Sequence, residues 1–416
     1  MRSTYSKDDV EILLKDITGM VEPLPAEVRE RYIQKGVHYC EMLPLEYTPS
    51  EKYMYAYEQA VKNYSEATAA AVSVLAEKIY KKKGAAPVIV SLARAGIPIG
   101  ILLKRYLRNK YKIDVPHYAI SIIRGRGIDK NALDYIEARH PAEGIQIVDG
   151  WIGKGAILTQ LEKALADYPE IDKELGVVSD PAGLTELCGT HDDILIPSSC
   201  LNATVTGLIS RTFLRKDIIG ENDFHGAAYY GELEGKDLSE EFLQSIEKYF
   251  AYWEAGGEAR KEGTACPESD SGVRESGEEV QKEGAALLES CKGRRVTYEK
   301  VQKEGTPCLV SSPAIRESGK DVCKNKSAAC AEIIHGIAAE YQVEDINFIK
   351  PGIGEATRVL LRRIPWKILI NPQYKEADEL THIYQLASEK GVPCEISRAE
   401  LGNYKVCGII KRLSDV

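Results

Sequence analysis

The sequence predicts an α/β protein, with a doubly wound, mainly parallel sheet followed by a smaller α/β unit at the C-terminus. Three observations predict it. Short apolar runs alternate with helical patterns between Pro87 and Pro197. Two of those runs break at glycine-bearing turns. A polar interval then separates this region from a second alternation of helices and short strands that begins at Ala328.

Taken in order, about the first 85 residues read as helical. Asp8 and Asp9 are placed to cap an apolar pattern of Val10, Ile12, Leu13 and Leu14, and the stretch from Tyr53 to Lys82 is amphipathic and Ala-rich. Pro87 to Leu92 reads as a buried strand, with a helix running from the Ala93–Pro98 turn through Leu107. His117 to Ile123 is the second strand and Ile145 to Val148 the third, followed by a helix from Ala156 to Ala166. Leu175–Pro181 and Asp193–Pro197 complete the sheet. From Trp253 to Cys323, Glu, Lys, Gly and Ser dominate, and Lys261–Gly277 returns in altered form as Lys303–Gly319, with a partial copy at Lys282–Gly284. A repeat so poor in apolar residues cannot bury a core, so 253–327 reads as a duplicated linker between 1–252 and 328–416. The tail reads as helices over Ala328–Tyr341, Gly354–Arg363 and Lys375–Lys390, with strands at Trp366–Ile370 and Pro393–Ile396 before the closing Cys407–Lys411.

Bulk properties narrow the function. The 416 residues are 44% hydrophobic and 28% charged, as in an ordinary globular protein. A net charge of −9 argues against indiscriminate coating of nucleic acid but leaves room for a local basic face. No signal peptide and no run of the ~18–20 apolar residues needed to span a bilayer is visible, so no membrane partner is expected. Ten cysteines without CxxC pairs fit a reducing cytoplasm. A homo-oligomer is left open.

Three turns point to an anion. Val148-Asp-Gly-Trp-Ile-Gly-Lys-Gly155 ends a strand in Asp149 and surrounds Lys154 with Gly150, Gly153 and Gly155, ahead of a helix. Glycines let backbone N–H groups approach a phosphate and the helix adds its positive end. Ser91-Leu-Ala-Arg-Ala-Gly96 breaks the first strand at small residues beside Arg94, with Ala95 and Gly96 closing the turn. Arg124 and Arg126 alternate with glycine, the composition of a mobile basic hood.

These turns resemble the pyrophosphate and phosphoribosyl-pyrophosphate loops of phosphoribosyltransferases. That resemblance implies a phosphoribosyltransferase-like sheet and a phosphoribosyl or nucleotide ligand held at Ser91, Arg94, Ala95, Gly96, Asp149, Gly150, Gly153, Lys154 and Gly155. It also implies Mg²⁺ carried with that ligand near Asp149, and closure by Arg124 and Arg126. One departure is that Gly150 stands where those enzymes carry a second acid. Residues 3 to about 250 resemble more narrowly the bacterial StiP family, on Asp8-Asp-Val10, His38-Tyr-Cys-Glu-Met42, Ser91–Gly100, Tyr118–Arg124 and Leu195–Ser199. The family is associated with tellurite-resistance and stress gene clusters, and is named for a cysteine protease. The protease alternative rests on Cys200, expected near a helix N-terminus that would lower its pKa, with His225 as base and Asn202 or Asp223 orienting it. A non-catalytic nucleotide sensor tethered to RNA is the third reading.

The second strong signal is Lys350-Pro-Gly-Ile-Gly-Glu-Ala-Thr-Arg358 with Arg362 and Arg363. Five basic residues and one acid lie between Ile346 and Ile370. Gly352 and Gly354 at a helix start let backbone touch RNA phosphate, and Glu355 can accept from a base edge. The stretch resembles the signature of kink-turn-binding ribosomal proteins and the Pelota RNA-binding domain, aligning Gly352, Glu355, Thr357 and Arg358, with Gly354 where that family places Asn. The resemblance implies RNA binding through Lys350, Gly352, Gly354, Glu355, Arg358 and Arg362.

Overall fold

The computed structural model describes residues 1–250 and 318–412. The duplicated linker expected over 253–327 therefore lies outside the described residues as far as 317.

The chain opens with two short strands, β1 (Glu11–Ile12) and β2 (Lys15–Asp16), then α1 (Ala26–Gln34) and the long α2 (Glu51–Lys83). Ala56, Ala60, Ala69, Val72, Leu75, Ala76 and Ile79 recur at helical spacing and are buried, so α2 lays one apolar stripe on the sheet. It stops at Gly84, with φ of 73°, after Lys81, Lys82 and Lys83 have met the negative end of the helix. The sheet-forming region follows: β3 (Val88–Ala93), α3 (Ile97–Tyr111), β4 (His117–Ile123), β5 (Gly127–Ile128), α4 (Lys130–Glu137), β6 (Ile145–Trp151), α5 (Ala156–Ala164), β7 (Gly176–Ser179) and β8 (Cys188–Thr190). β9 (Gly226–Ala227) pairs with β2, and α6 (Ser239–Glu247) closes this part.

Seven strands form one sheet in the order β1-β4-β3-β6-β7-β8, all parallel, with β5 added antiparallel to β4. Side chains alternate across it. Val88, Val90 and Leu92 join a core with Leu133 of α4 and Leu161 of α5, whereas Ile89 faces Leu75 of α2, Leu102 of α3 and Phe242 of α6. The doubly wound, mainly parallel α/β architecture is thus the observed one.

Two local expectations fail. Residues 8–14 form no helix: Glu11 and Ile12 pair with Tyr118 and Ala119 at the edge of β4. Asp9, instead of capping a helix, takes both Arg105 Nη2 at 2.6 Å and Nε at 3.2 Å. Asp193–Pro197 is not a strand either; the sheet ends at β8, packed so closely under α2 that a Cβ on Gly189 would collide with the Ala71 carbonyl. Leu195 and Ile196 are buried in the core without pairing.

The C-terminal part begins with α7 (Ser318–Glu340), which starts inside the expected linker. Then come β10 (Ile349–Pro351), α8 (Ile353–Arg362), β11 (Pro365–Ile370), α9 (Thr381–Glu389), β12 (Cys394–Ile396) and β13 (Val406–Ile410). Its four strands run in the order β10-β13-β11-β12, with only β11 and β12 parallel. This sheet and the N-terminal part belong to one compact unit, and Ile353, Ala356 and Leu360 of α8 share a core with Cys200 and Leu201. No described helix is long and apolar enough to cross a membrane.

Candidate active site

In the large sheet β3 and β6 are neighbours, and the chain winds away from them in opposite directions. The carboxyl ends of such a strand pair open a crevice. Here a cavity of about 440 Å³ lies beyond them, lined by Arg94, Asp149, Trp151 and Lys154 from the strand ends and by Lys350, Glu355, Arg358 and Arg362 from the C-terminal part.

The residues expected to cradle a phosphate are differently engaged. Ser91 is buried within β3, its hydroxyl 2.8 Å from His117 Nε2, and does not reach the cavity. Arg94 is buried against Glu46 at 2.5 Å and donates to the Ile209 carbonyl at 2.7 Å. Ala95 lines the cavity, and Gly96 lets the turn close on Asp149, because a Cβ there would sit 2.7 Å from the Leu92 carbonyl and 3.1 Å from Asp149 Oδ1. The Asp149 carboxylate accepts the Gly150 N–H at 2.8 Å, and burial pushes its pKa up to about 6. Gly155, with φ of 78°, starts α5 as expected. The rest of that loop is covered by the C-terminal part. Tyr404 donates its hydroxyl to the Gly153 carbonyl at 2.7 Å, Glu355 packs on Gly153, and Lys154 Nζ donates to the Ile346 carbonyl. Arg124 reaches Asn347, and Arg126 pairs with Glu41 at 2.7 Å.

The Cys200–His225 dyad is not assembled. Among the described residues no hydrogen bond joins the two. His225 Nδ1 meets the Ser121 hydroxyl at 2.8 Å and its backbone N–H donates to Asp129. Cys200 closes a 3-10 turn, Pro197–Cys200, and not the start of an α-helix, so no macrodipole acts on it; burial pushes its thiol up to about 12. Asn202 caps the next turn and Asp223 pairs with Lys15 at 2.6 Å, so neither orients His225.

A different pair is assembled. His38 caps the 3-10 turn Tyr39–Glu41, which brings Cys40 back beneath the ring, Sγ to Nδ1 2.9 Å. The other nitrogen, Nε2, lies 3.0 Å from the Arg124 carbonyl. A carbonyl only accepts, so Nε2 carries the proton and Nδ1 is the acceptor, facing the thiol at 2.9 Å and the Cys40 backbone N–H at 3.4 Å. The arrangement is nucleophile, base and orienting group in sequence. Burial holds the imidazole below its ordinary range and pushes the Cys40 thiol up to about 11, so the resting pair is neutral. Cys40 is fully buried, its Sγ also 3.5 Å from the Leu214 carbonyl, and the β4–β5 turn, whose Arg124 N–H donates to the Tyr39 hydroxyl, covers the neighbouring His38 and Tyr39. In the sequence, His38-x-Cys40 stood within a family landmark; the signal that gives it a role is a histidine at a turn cap two residues before a cysteine. Cys188 lies near His191, but at 3.6 and 3.7 Å from both ring nitrogens, so neither is aimed at it, and His191 Nδ1 is taken by the Asp180 carbonyl.

The residues expected to bind RNA face inward. The Ile353 N–H at the start of α8 donates to the Asp193 carboxylate at 2.9 Å, and the Lys405 N–H donates to the same group. Gly352, with φ of 92°, lies beside Asp193, and Gly354 is pressed to the Trp151 ring, 2.8 Å from where a Cβ would stand. Arg358 stacks over Trp151 at 4.2 Å while holding Glu355 at 3.2 Å; Arg362 donates to the Leu201 carbonyl. Glycine contact with RNA phosphate at this helix start is therefore blocked in the observed arrangement.

Comparison with known proteins gives three findings. Residues 3–247 match the family described as "Tellurite-like stress resistance cysteine protease StiP". Residues 328–412 match the "PELOTA RNA binding domain". A curated relative from Acinetobacter baylyi, "Cysteine protease StiP", is 31% identical over 427 aligned positions, which cover 99% of this chain and 94% of that one. These findings overturn phosphoribosyl transfer as the main functional expectation: a relative that spans nearly the whole chain bears the name of a protease. The physical counterpart is the loop at Gly153 and Lys154, whose Gly153 carbonyl and Lys154 ammonium are engaged by the chain's own C-terminal part.

Proposed function

The chain belongs to the StiP family, and from that premise we propose that it is a cysteine protease in which Cys40 is the nucleophile and His38 its base. The observation that carries this reading is the 2.9 Å contact of Cys40 Sγ with His38 Nδ1, the far side of the ring being fixed by the Arg124 carbonyl. The thiol proton passes to Nδ1 as sulfur attacks the scissile carbonyl. His38 then returns that proton to the departing amine, leaving a thioester on Cys40. Water, deprotonated by His38, hydrolyses the thioester and restores the thiol. Because Cys40 is buried, the β4–β5 turn must lift for substrate to enter. Gly125 and Gly127, both at positive φ, flank Arg126 and give that turn its hinge.

Support for RNA binding comes from the Pelota match at the C-terminus. With α8 turned inward, an outward cation–aromatic pair of this part is Lys367 over Trp366 at 4.4 Å. Trp366 is 40% exposed and can stack a base.

The test is hydrolysis of an unfolded protein substrate by the full chain. Cys40→Ala and His38→Gln are each expected to lose at least about a hundredfold in rate, with Cys200→Ala near wild type. Activity retained in Cys40→Ala removes the assignment.

A further inference from the structure

The cavity beside the Cys40–His38 pair carries far more positive than negative charge. Eight basic side chains line it against three carboxyls. Some of these cations are matched: Arg94 by Glu46 at 2.5 Å, Arg363 by Glu30 at 2.7 Å and Arg358 by Glu355 at 3.2 Å. Others are not. Among the described residues no carboxylate lies within ion-pair distance of Arg124, Lys154, Arg211, Lys350 or Arg362. Arg358 and Arg362 also hold buried Nε–H groups without an acceptor. Half-buried cations left in this state raise the free energy of the empty site, and an anionic ligand relieves it. Burial, with Arg29, Arg94 and Arg363 nearby, lowers Arg211, and burial, with Arg124 and Lys154 nearby, lowers Lys350 to about 8 against the opposing pull of Glu355.

The geometry points to this cavity as the substrate groove, taking polypeptide segments rich in Asp and Glu. The inference rests on the protease reading above. Tyr39, between His38 and Cys40, lines the cavity, and so does Arg124, whose carbonyl holds His38, so the pair lies directly behind the cavity wall and not in its lining. Two features favour polypeptide over RNA here. Arg358 covers Trp151, which removes a stacking platform for a base. Asp193 and Trp151 occupy the glycine turn that would touch a phosphate backbone.

The experiment uses the full chain carrying Cys40→Ala, so that binding is read without turnover. Fluorescence anisotropy compares a labelled peptide alternating Glu and Gly with the same peptide carrying Gln for Glu, and with single-stranded RNA. We expect the Glu peptide to bind at least about tenfold more tightly than the Gln peptide. Added Arg211→Gln or Lys350→Gln should weaken it about fivefold or more, with the Gln peptide unaffected. Equal binding of the two peptides, or RNA binding at this site where the Glu peptide fails, overturns the inference. The two readings fail separately. Wild-type cleavage that ignores acidic residues removes the groove assignment and leaves the protease. Selective Glu-peptide binding with no wild-type cleavage removes the protease and leaves the groove.

Discussion

Replacing Glu46 by Gln removes the carboxylate that most directly balances the buried arginines. Glu46 and Arg94 are each 6% exposed, with Nη2 to Oε1 2.5 Å, and the second oxygen accepts the Ala203 N–H at 2.6 Å. Gln keeps an acceptor for one of these contacts but leaves Arg94 uncompensated beside other cations. Breaking a buried ion pair from one side costs about 3–5 kcal/mol, a large share of the roughly 5–15 kcal/mol that holds a typical domain folded. Urea denaturation of Glu46→Gln at neutral pH should therefore show a loss of about 3 kcal/mol or more. The pH dependence has a definite sign. Burial pushes the Glu46 carboxyl up, but Arg94 and Arg362 outweigh it and hold the group below its ordinary 4.5. A depressed carboxyl contributes stability that is full above 4.5 and is lost as pH falls through its folded value. The gap between wild type and Glu46→Gln should thus be widest at neutral pH and close in acid below 4.5. A loss under about 1 kcal/mol, or one that does not change with pH, would refute the picture of a cluster short of counter-charge.

Two further outcomes follow from the same geometry. Burial lowers Lys350 to about 8, so Glu-peptide affinity should fall as pH rises from 7 to 9; a flat profile by anisotropy would count against its role. Trp366→Ala should weaken RNA binding to the full chain by about 1–3 kcal/mol if the outward face stacks a base, and unchanged affinity in a filter-binding assay would place RNA elsewhere.

The sheet was legible because its strands are apolar runs closed by small residues. β3, β4, β6 and β7 fall, to within a few residues, where Pro87–Leu92, His117–Ile123, Ile145–Val148 and Leu175–Pro181 suggested. Illegible were the elements decided by distant partners. Val10 to Leu14 carries a helical pattern, yet pairing to β4 and the Asp9–Arg105 contact outweigh it. Asp193–Pro197 is apolar enough for a strand, but Asp193 is drawn to the start of α8, 160 residues away. The crevice beyond β3 and β6 was foreseen from its glycines, while its occupant was not: nothing local to Gly153 or Lys154 says that Tyr404 and Ile346 will cover them. For the cysteines, a presumed helix start at Cys200 misled, since a 3-10 turn carries no comparable dipole. His38 and Cys40 were visible as residues, but their pairing depends on Arg124 fixing the ring from another loop.

The assignment of the nucleophile is tested most directly by an electrophilic peptide probe, such as a vinyl sulfone, followed by mass spectrometry of the digested full chain. A single adduct on the peptide containing Cys40, abolished in His38→Gln and accompanied by loss of hydrolysis, is the predicted result. An adduct on Cys188 or Cys200 with Cys40 unmodified, and hydrolysis lost all the same, would contradict it.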